Sequence, residues 1–311
     1  MKPCLLILCP SPPSTLERLA EHFDCHYAPD PDSRREAIAQ HAASIQVVLT
    51  TGAVGLTDEE IARLPALSLV SALGVGYENI DLQAARQRDI ALCSGAGSNA
   101  ASVADHAMAL LLAAIRDLRN LDIACRAGIW RTQLPEQDGV GGKRVGILGL
   151  GAIGERIATR AQAFEMSVGY HNRTPKDASA YRYFDSPLEL ARWADCLLVA
   201  IPGGDATHHL VGAEMLEALG AQGYLVNVGR GSVVDTAALA DALRRKVIRG
   251  AALDVYESEP LPPAELVGLD NVILCPHLGG NSPQAVAQAL TQFIENARRH
   301  FAGEALLTPL R

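Results

Sequence analysis

The sequence lacks the features that mark a membrane-spanning or nucleic-acid-binding protein. No apolar run reaches about 18 residues without a polar interruption, which is the length that a transmembrane helix needs. Basic residues are not in excess, since the formal net charge is −8. This charge argues against nucleic acid or an anionic membrane as the main partner. Any anionic ligand must therefore be bound by a local group of cationic residues.

Paired cysteines are absent as well. Seven cysteines are scattered over the 311 residues, and no Cys-x-x-Cys occurs. An odd, scattered set is typical of reduced thiols in a cytoplasmic protein. The short apolar run at 4–9 resembles a signal peptide, but it lacks a small-residue cleavage site. We therefore predict a first β-strand at this run and a cytoplasmic location.

Two classes of active site also lack their motifs. No Gly-x-Ser-x-Gly is present to form the nucleophile elbow of a hydrolase. Cys275-x-His277 has no second pair at the spacing of a zinc site. The neighbouring His208 and His209 would point in different directions on a strand or a helix. The sequence therefore predicts no metal site.

Short apolar runs alternate with helical patterns along the chain, which is typical of parallel α/β sheets. Strands are predicted at 4–9, 45–50, 67–73, 90–93, 145–148, 167–170, 196–201, 224–228, 251–255 and 272–275. A long helix is predicted at 98–118, and it is apolar on most sides. Such a helix either connects two lobes, packs against another subunit or lies inside one core.

A glycine-rich turn follows the predicted strand at 145–148 and precedes a helix that ends near Phe164. It reads Gly149-x-Gly151-x-x-Gly154. The first glycine permits a tight turn, the second lets phosphates approach the backbone, and the third lets the helix pack closely on the sheet. Between a strand and a helix, this spacing predicts a site for the pyrophosphate of a dinucleotide.

Polar side chains follow the later strands at the same sheet edge. Because ligands bind beyond the carboxyl ends of parallel strands, these residues are candidates for the site. They are His171, Asn172, Arg173, Pro202, Gly229, Arg230, Asp254, Glu257, Glu259 and His277. Together they predict a ligand site that combines a guanidinium, carboxylates and an imidazole.

Arg230 and His277 are the candidates for the chemistry. The planar guanidinium of Arg230 suits a carboxylate, although a lone arginine in a loop is often only solvated. His277 suits general acid/base catalysis, although a lone histidine is often structural. A carboxylate beside it would favour the imidazolium form, and spacing alone leaves Glu257 and Glu259 both open. Asp254 is either a buried structural group or a contact of the cofactor amide.

The residues after the predicted strand 167–170 bear on cofactor choice. NAD-binding sites usually have Asp or Glu about 20 residues beyond the glycine-rich turn, where it accepts from the ribose 2′-OH. In this region, from Tyr170 onward, no acid occurs before Asp177, and Arg173 could pair with a 2′-phosphate. We therefore predict a preference for NADPH. Alternatively, Arg173 only stacks on adenine and either cofactor is accepted.

Several motifs resemble the D-isomer-specific 2-hydroxyacid dehydrogenases over nearly the whole chain. The motifs are Leu73–Asp81, Ser102–His106, Gly149–Gly154, Val226–Gly231, Leu253–Pro260 and Pro276–Gly280. The chain looks closest to the glyoxylate/hydroxypyruvate reductase branch, and 171–173 is similar to the NADPH-using members. Two departures are Asp105, where the family often has Glu, and 202–207, which differs from the usual form and leaves local cofactor contacts open.

The resemblance implies roles for individual residues. Arg230 orients the substrate, His277 protonates the keto oxygen, and Glu259 rather than Glu257 pairs with the histidine. The backbone N–H groups of Val75 and Gly76 bind the substrate carboxylate. The implied cofactor contacts are Gly149, Gly151, Ala152, Ile153, Gly154, Asn172, Arg173, Pro202, Thr207, Val228, Asp254 and Gly279.

The resemblance also implies a fold and an activity. A doubly wound Rossmann domain (98–282) is inserted in a flavodoxin-like substrate-binding domain (1–97 and 283–311), and the protein is a homodimer. The expected reaction is reduction of a small 2-oxo acid, with glyoxylate or hydroxypyruvate favoured, by NADP(H) or, less readily, NAD(H). No metal is needed for it. Two alternatives are a phenylpyruvate-type reductase, whose pocket Tyr77 and Trp130 could shape, and a non-enzymatic NAD(H)-sensing protein of corepressor type.

Overall fold

A computed structural model describes residues 2–177 and 179–310 of the chain. The described residues divide into two compact units, Met1–Asn99 with Ser282–Arg311 and Ala100–Asn281. Each unit is built on its own parallel sheet. In the described part, no helix is both long and apolar enough to cross a membrane.

The first unit is a parallel α/β domain. Its strands are β1 (Cys4–Ile7), β2 (Asp24–Tyr27), β3 (Val47–Thr50), β4 (Leu69–Ala72) and β5 (Ala91–Ser94). Its first helices are α1 (Pro13–Ala20), α2 (Pro31–His41), α3 (Asp58–Ala62) and α4 (Leu82–Gln87). Within the described residues the sheet order is β2-β1-β3-β4-β5, which is the flavodoxin-like order.

The strands of this unit are buried on both faces. In β1 and the residues after it, Leu6 and Leu8 pack into one apolar cluster, whereas Leu5 and Ile7 pack into another. Side chains alternate between the faces of a sheet, so a continuous apolar run fills both cores. This is why an unbroken apolar run in the sequence predicts the strand.

The second unit contains the remaining strands and most of the remaining helices. Its strands are β6 (Arg144–Leu148), β7 (Ser167–His171), β8 (Arg182–Tyr183), β9 (Cys196–Val199), β10 (Tyr224–Asn227), β11 (Gly250–Leu253) and β12 (Val272–Leu274). Its α-helices are α5 (Ala100–Ile115), α6 (Leu118–Arg126), α7 (Ala152–Ala163), α8 (Pro187–Trp193), α9 (Ala213–Leu219) and α10 (Thr236–Arg244). The short 3-10 helices are Arg131–Gln133, Asp205–Thr207 and Gly231–Val233. The last helix, α11 (Pro283–Phe301), belongs to the first unit.

The second sheet has the doubly wound Rossmann arrangement. Its described strands run in the order β12-β11-β10-β9-β6-β7-β8, and all pairs are parallel. The chain winds outward from β6 in one direction through β7 and β8 and in the other through β9 to β12. The switch point therefore lies between β6 and β9, where such folds bind their ligand. The predicted α/β fold class is confirmed.

The long helix predicted at 98–118 is wrong as one element. The chain forms α5 and then breaks at Asp117, which has a left-handed φ of +50°, before α6 begins. Within the second unit α5 is a core helix, because Val103, Ala107 and Leu111 are buried against the Rossmann sheet. An apolar pattern does not reveal a left-handed residue, so the sequence alone could not show this break.

Two strands were not predicted. Strand β2 has the sequence Asp-Cys-His-Tyr and is largely exposed, and β8 has only two residues. Both lie at the edge of their sheet, where one side of the strand is unpaired and polar residues are common. Neither therefore has the apolar run by which the buried strands are predicted.

Candidate active site

The glycine-rich turn joins β6 to α7. Gly149 has a φ of +99°, and a Cβ there would lie only 2.6 Å from Cγ2 of Ile201. A Cβ at Gly154 would overlap the carbonyl oxygen of Gly149, whereas one at Gly151 would meet nothing within 4 Å. Glycine is therefore required at both ends of the turn, and Gly151 leaves an open surface in front of the helix.

The start of α7 suits an anion. The helix has 12 residues, and Gly151 at its N-cap supplies no side-chain cap. The N–H groups of the first turn are therefore not satisfied by a cap, and the positive end of the helix dipole is open. Ala152, Ile153 and Gly154 contribute N–H groups to this turn, which fits the phosphates of a dinucleotide.

A cavity of about 770 Å³ lies beside the turn in the second unit. Its volume is within the range of cofactor sites. It is formed by the turn, the residues after β7 and the loop after β9, on both sides of the switch point. The predicted cofactor residues in its lining are Gly149, Gly151, Asn172, Arg173, Pro202 and Thr207. Shape and backbone donors therefore fit a bound dinucleotide.

The residues after β7 have two different roles. Oδ1 of Asn172 accepts a hydrogen bond from the N–H of Leu150 at 2.7 Å, so Asn172 fixes the glycine-rich turn. Arg173 is exposed and lines the cavity. Asp205, from the loop after β9, also lines it. The cavity thus contains both a guanidinium that could pair with a 2′-phosphate and a carboxylate that would oppose it.

The loop after β9 is held by Thr207. Its Oγ1 donates to the carbonyl oxygens of Pro202 at 2.9 Å and Gly204 at 3.1 Å. Val228, directly after β10, is buried. Contact of Pro202, Thr207 and Val228 with a cofactor stays a prediction.

Asp254, directly after β11, is buried and fully engaged by protein donors. Its carboxylate accepts the N–H groups of Leu278 and Gly279, each at 2.8 Å, and lies 3.1 Å from Nε2 of His106. These bonds anchor the loop that follows β12 to the end of β11. The structural role is thus present, and a contact of Asp254 or Gly279 with the cofactor stays a prediction.

The loop after β10 orients Arg230. Asn227, which is completely buried, donates through Nδ2 to the Arg230 carbonyl at 3.0 Å. Its Oδ1 accepts the N–H of Gly229 at 3.0 Å, and Nη1 of Arg230 donates to the Gly229 carbonyl at 2.8 Å. The buried amide of Asn227 therefore fixes the backbone of this loop, from which the Arg230 side chain extends.

His277 forms a close pair with Glu259. Its Nδ1 lies 2.8 Å from Oε2 of Glu259, and Oε1 accepts the N–H of Tyr256 at 2.9 Å. Because a carboxylate only accepts, Nδ1 is the donor and Nε2 is left for a ligand. The His277 backbone is left-handed, with φ +54°, and its N–H donates to the Asp254 carbonyl at 2.9 Å.

The electrostatics of this pair favour a protonated imidazole. The hydrogen bond to Glu259 raises the pKa of His277; burial and the nearby Arg230 guanidinium oppose this shift without cancelling it. Burial raises the pKa of Glu259, but its bonds to His277 and Tyr256 outweigh burial and place that pKa below the ordinary value. Both shifts favour an imidazolium beside a carboxylate, which is the arrangement of a proton donor.

Val75 and Gly76 lie in the first unit, in the loop after β4, and are partly exposed. The same loop packs tightly on Gly52, where a Cβ would lie 2.6 Å from the carbonyl carbon of Gly76. The backbone at Gly76 is therefore held in place. Its binding of a substrate carboxylate stays a prediction.

The predicted orientation of the adjacent His208 and His209 is wrong. The rings of His208 and His209 are stacked with centroids 3.9 Å apart, rather than pointing in different directions. They lie in a loop, and His209 has a left-handed φ of +51°. With Glu257 they form a group whose ligand atoms lie within 4.8 Å of one another. The lone pairs of the ring nitrogens lie in the ring planes, and these planes are nearly parallel, so the two histidines are poorly arranged to bind the same ion. The absence of a metal site stays a prediction.

Ser102 and His106 on α5 support the site and were not predicted as functional. Oγ of Ser102 donates to the Gly279 carbonyl at 2.8 Å, and His106 contacts Asp254. Both therefore hold the loop that contains His277. The available signals were the family motif Ser102–His106 and the four-residue spacing, which puts both residues on one helix face.

Comparison with known proteins agrees with this geometry. Residues 108–279 match the family described as D-isomer specific 2-hydroxyacid dehydrogenase, NAD binding domain. Over 98% of both chains, the protein is 37% identical to a glyoxylate/hydroxypyruvate reductase A of Arabidopsis thaliana. It is 35% identical to a hydroxyphenylpyruvate reductase of Plectranthus scutellarioides, again over 98% of both chains.

A solved structure is similar in fold as well. The NADPH-dependent glyoxylate/hydroxypyruvate reductase of Sinorhizobium meliloti, in complex with NADP and malonate, has a TM-score of 0.90 and 34% identity. The match covers 100% of this chain and 97% of that chain. The predicted resemblance, including the reductase branch, is confirmed. The chain belongs to the D-isomer-specific 2-hydroxyacid dehydrogenase family and uses an NAD(P)(H) cofactor.

Proposed function

We propose that the protein reduces glyoxylate or hydroxypyruvate to the D-2-hydroxy acid and prefers NADPH. The observation that most supports this is the 2.8 Å contact between His277 and Glu259 at the sheet edge where the glycine-rich turn lies. The relatives named as glyoxylate/hydroxypyruvate reductases support the choice of substrate.

Each residue has a separate task in the reaction. The bound cofactor supplies the hydride that adds to C2 of the 2-oxo acid. Arg230 pairs with the substrate carboxylate and polarises the keto oxygen. His277 donates the Nε2 proton to that oxygen as its negative charge develops, while Glu259 stabilises the imidazolium. The backbone N–H groups of Val75 and Gly76 donate hydrogen bonds to the substrate carboxylate.

A panel of 2-oxo acids tests the proposal directly. Glyoxylate, hydroxypyruvate, phenylpyruvate and hydroxyphenylpyruvate are each assayed with NADPH and with NADH by loss of absorbance at the nicotinamide band. We expect the highest kcat/KM for glyoxylate or hydroxypyruvate with NADPH. A higher kcat/KM for an arylpyruvate would favour the alternative of a phenylpyruvate-type reductase, which the similarity to a hydroxyphenylpyruvate reductase supports. No turnover of any substrate, with intact NADH binding, would favour a sensing protein instead.

Arg173→Ala should reduce the preference for NADPH. Loss of one charge-assisted contact with the 2′-phosphate should raise the KM for NADPH by about 10- to 100-fold. The KM for NADH should change little, since NADH has no phosphate there. Initial rates with each cofactor at saturating glyoxylate measure both values.

Arg245→Ala is the matched control for this change. Arg245 is an exposed arginine directly after α10 whose guanidinium donates to Asp241, and it does not line the cavity. The Arg245→Ala substitution should leave the KM values for NADPH and NADH unchanged. If Arg173→Ala raised the two KM values equally, the guanidinium would contact adenine rather than the phosphate, and the argument for NADPH would be lost.

Glu259→Gln should move the pH profile of reduction. The proton donor is active below the pKa of His277, so kcat/KM falls as pH rises through that raised pKa. Without the carboxylate the pKa drops toward the ordinary histidine value of about 6.5, and the alkaline limb moves to lower pH. The maximal kcat should also fall, on the order of 100-fold. An alkaline limb at the same pH in both proteins would mean that Glu259 does not set the pKa of the donor.

We infer further that the protein is a homodimer formed through the second unit. Helix α6 has no buried residue, although Leu118 and Ile123 are apolar and more than half exposed. Ile129 and Trp130 follow closely and are exposed too. Clustered exposed apolar side chains mark protein interfaces.

Light scattering on the purified protein tests the dimer. We expect twice the 33.0 kDa chain mass for the unsubstituted protein and a monomer for Ile123→Glu, because a buried charge opposes association. Phe164→Glu, at another exposed apolar position, is the control and should remain dimeric. A monomeric unsubstituted protein at micromolar concentration would contradict the inference.

A further inference from the structure

We propose that His209 and Glu257 are positioning residues, which set the place of Arg230 relative to Glu259. The inference rests on the proposed function, because it concerns how that site is assembled. The sequence pattern gave His209 no role in this site, and it offered Glu257 as a site candidate and as an alternative partner of His277. Its support is a chain of contacts between the loop after β10 and the loop after β11.

The first contact joins His209 to the loop of Arg230. The N–H of His209 donates to the carbonyl oxygen of Ser232 at 2.8 Å. Two residues on, Val211 forms a parallel bridge with Val234. The segment at 209–211 therefore runs beside the residues after Arg230 and is tied to them by backbone hydrogen bonds.

The second contact joins the same histidine to the loop of Glu259. Nε2 of His209 lies 2.6 Å from Oε1 of Glu257, two residues before Glu259. Oε2 of Glu257 accepts two hydrogen bonds from Thr236, one from its N–H at 3.1 Å and one from its hydroxyl Oγ1 at 2.6 Å. Glu257 is thus bonded through both oxygens, and it lies at the start of α10, where a carboxylate is favoured by the helix dipole.

The two loops also touch through their backbones. A Cβ at Gly231 would overlap the carbonyl group of Tyr256. The N–H of Tyr256 is the donor to Oε1 of Glu259 at 2.9 Å. A shift of the peptide at Tyr256 would therefore change both the packing against Gly231 and the orientation of the carboxylate that pairs with His277.

The charges of this pair support a geometric role. The side chains of His209 and Glu257 are 38% and 31% exposed, so their attraction is screened by solvent and stabilises the fold only weakly. The bond to Glu257 raises the pKa of His209, and Asp235 lies 3.8 Å from its Nδ1. The imidazole is thus held between two carboxylates, in a place where its main effect is to fix one loop against another.

The test compares His209→Asn with Glu257→Gln. Asparagine tolerates the left-handed backbone at 209 but is too short to bond Glu257, so it removes the link without backbone strain. His208→Asn is the matched control, because it removes the neighbouring imidazole and leaves the bond in place. Each variant is assayed with glyoxylate and NADPH, and the pKa of His277 is followed by NMR.

His209→Asn should lower kcat/KM for glyoxylate by about 10-fold or more, since small displacements in an active site have effects of this size. It should also lower the pKa of His277, because Glu259 is less well placed to bond it. The KM for NADPH and the melting temperature should stay close to those of His208→Asn. Glu257→Gln should act in the same direction, and the double variant should be less impaired than the sum of the two.

Unchanged kcat/KM and an unchanged His277 pKa in both variants would overturn the inference. A fall in melting temperature without a change in that pKa would do so too, because it would indicate a merely structural pair. The NMR measurement does not need turnover. Failure of the unsubstituted protein to reduce any 2-oxo acid would therefore refute the proposed function, and the placement of Glu259 could still be tested through the pKa of His277.

Discussion

His277→Ala should lower kcat for glyoxylate reduction by about 1,000-fold, which is within the range of general acid catalysis. As hydride adds to C2, the keto oxygen acquires negative charge and needs a proton. The hydrogen bond to Glu259 raises the pKa of His277 and so favours the protonated imidazole, and Nδ1 already donates to Glu259. Without the ring, water must supply the proton. Stopped-flow and steady-state rates with saturating NADPH measure the loss.

Two further measurements separate proton donation from general damage. The Kd for NADPH, followed by fluorescence, should be nearly unchanged, because the ring lies after β12 and the glycine-rich turn follows β6. Imidazole added to the buffer should restore part of the rate as an external proton donor. His22→Ala removes an exposed histidine of the first unit and serves as the control. Unchanged turnover of all four 2-oxo acids by His277→Ala would disprove the role.

Arg230→Ala is expected to have the second largest effect, a fall in kcat/KM of about 100-fold or more. A bidentate, charge-assisted contact with a carboxylate contributes about 3 kcal/mol, which corresponds to this factor. The KM for the 2-oxo acid should account for most of the change. The kcat should fall as well, since in the proposed reaction the guanidinium polarises the keto oxygen.

Arg230→Lys distinguishes geometry from charge. Lysine keeps the positive charge but lacks the planar pair of donors, so it should restore only a small part of the activity. Asn227 holds the loop in both variants, because its bonds are to backbone atoms of Gly229 and Arg230. Normal KM and kcat values in Arg230→Ala would show that another group binds the substrate.

The sequence predicted the parts of the fold that depend on continuous burial. Strands such as β1, β6 and β9 are apolar on both faces, so their runs are unmistakable in the sequence. Strand β2 and the break between α5 and α6 were missed for a physical reason. An edge strand has no second buried face, and the left-handed φ of Asp117 has no signature in an apolar pattern.

The candidate site divides in the same way. Gly149, Arg230 and His277 follow predicted strands, so topology alone assigns them to one sheet edge. Which glutamate pairs with His277 depends on the path of a loop, so spacing left the choice open and only the family resemblance implied Glu259. The structure pairs Glu259 with His277 and also pairs Glu257 with His209, which nothing in the sequence indicated. Spacing in the sequence contains no information on such paths. Asp254 is similar, since the sequence left its two roles open and the structure gives it three protein donors.

The order of strands in the second sheet has a consequence for evolution and engineering. Arg173 follows β7, whereas Arg230 follows β10, three strand positions away along the order β10-β9-β6-β7. At the spacing of neighbouring strands this is a separation of about 14 Å. With the proposed roles of Arg173 and Arg230, substitutions after β7 would change the cofactor preference and leave the reacting groups after β10 and β12 in place. Cofactor preference and catalysis could then be changed independently of each other.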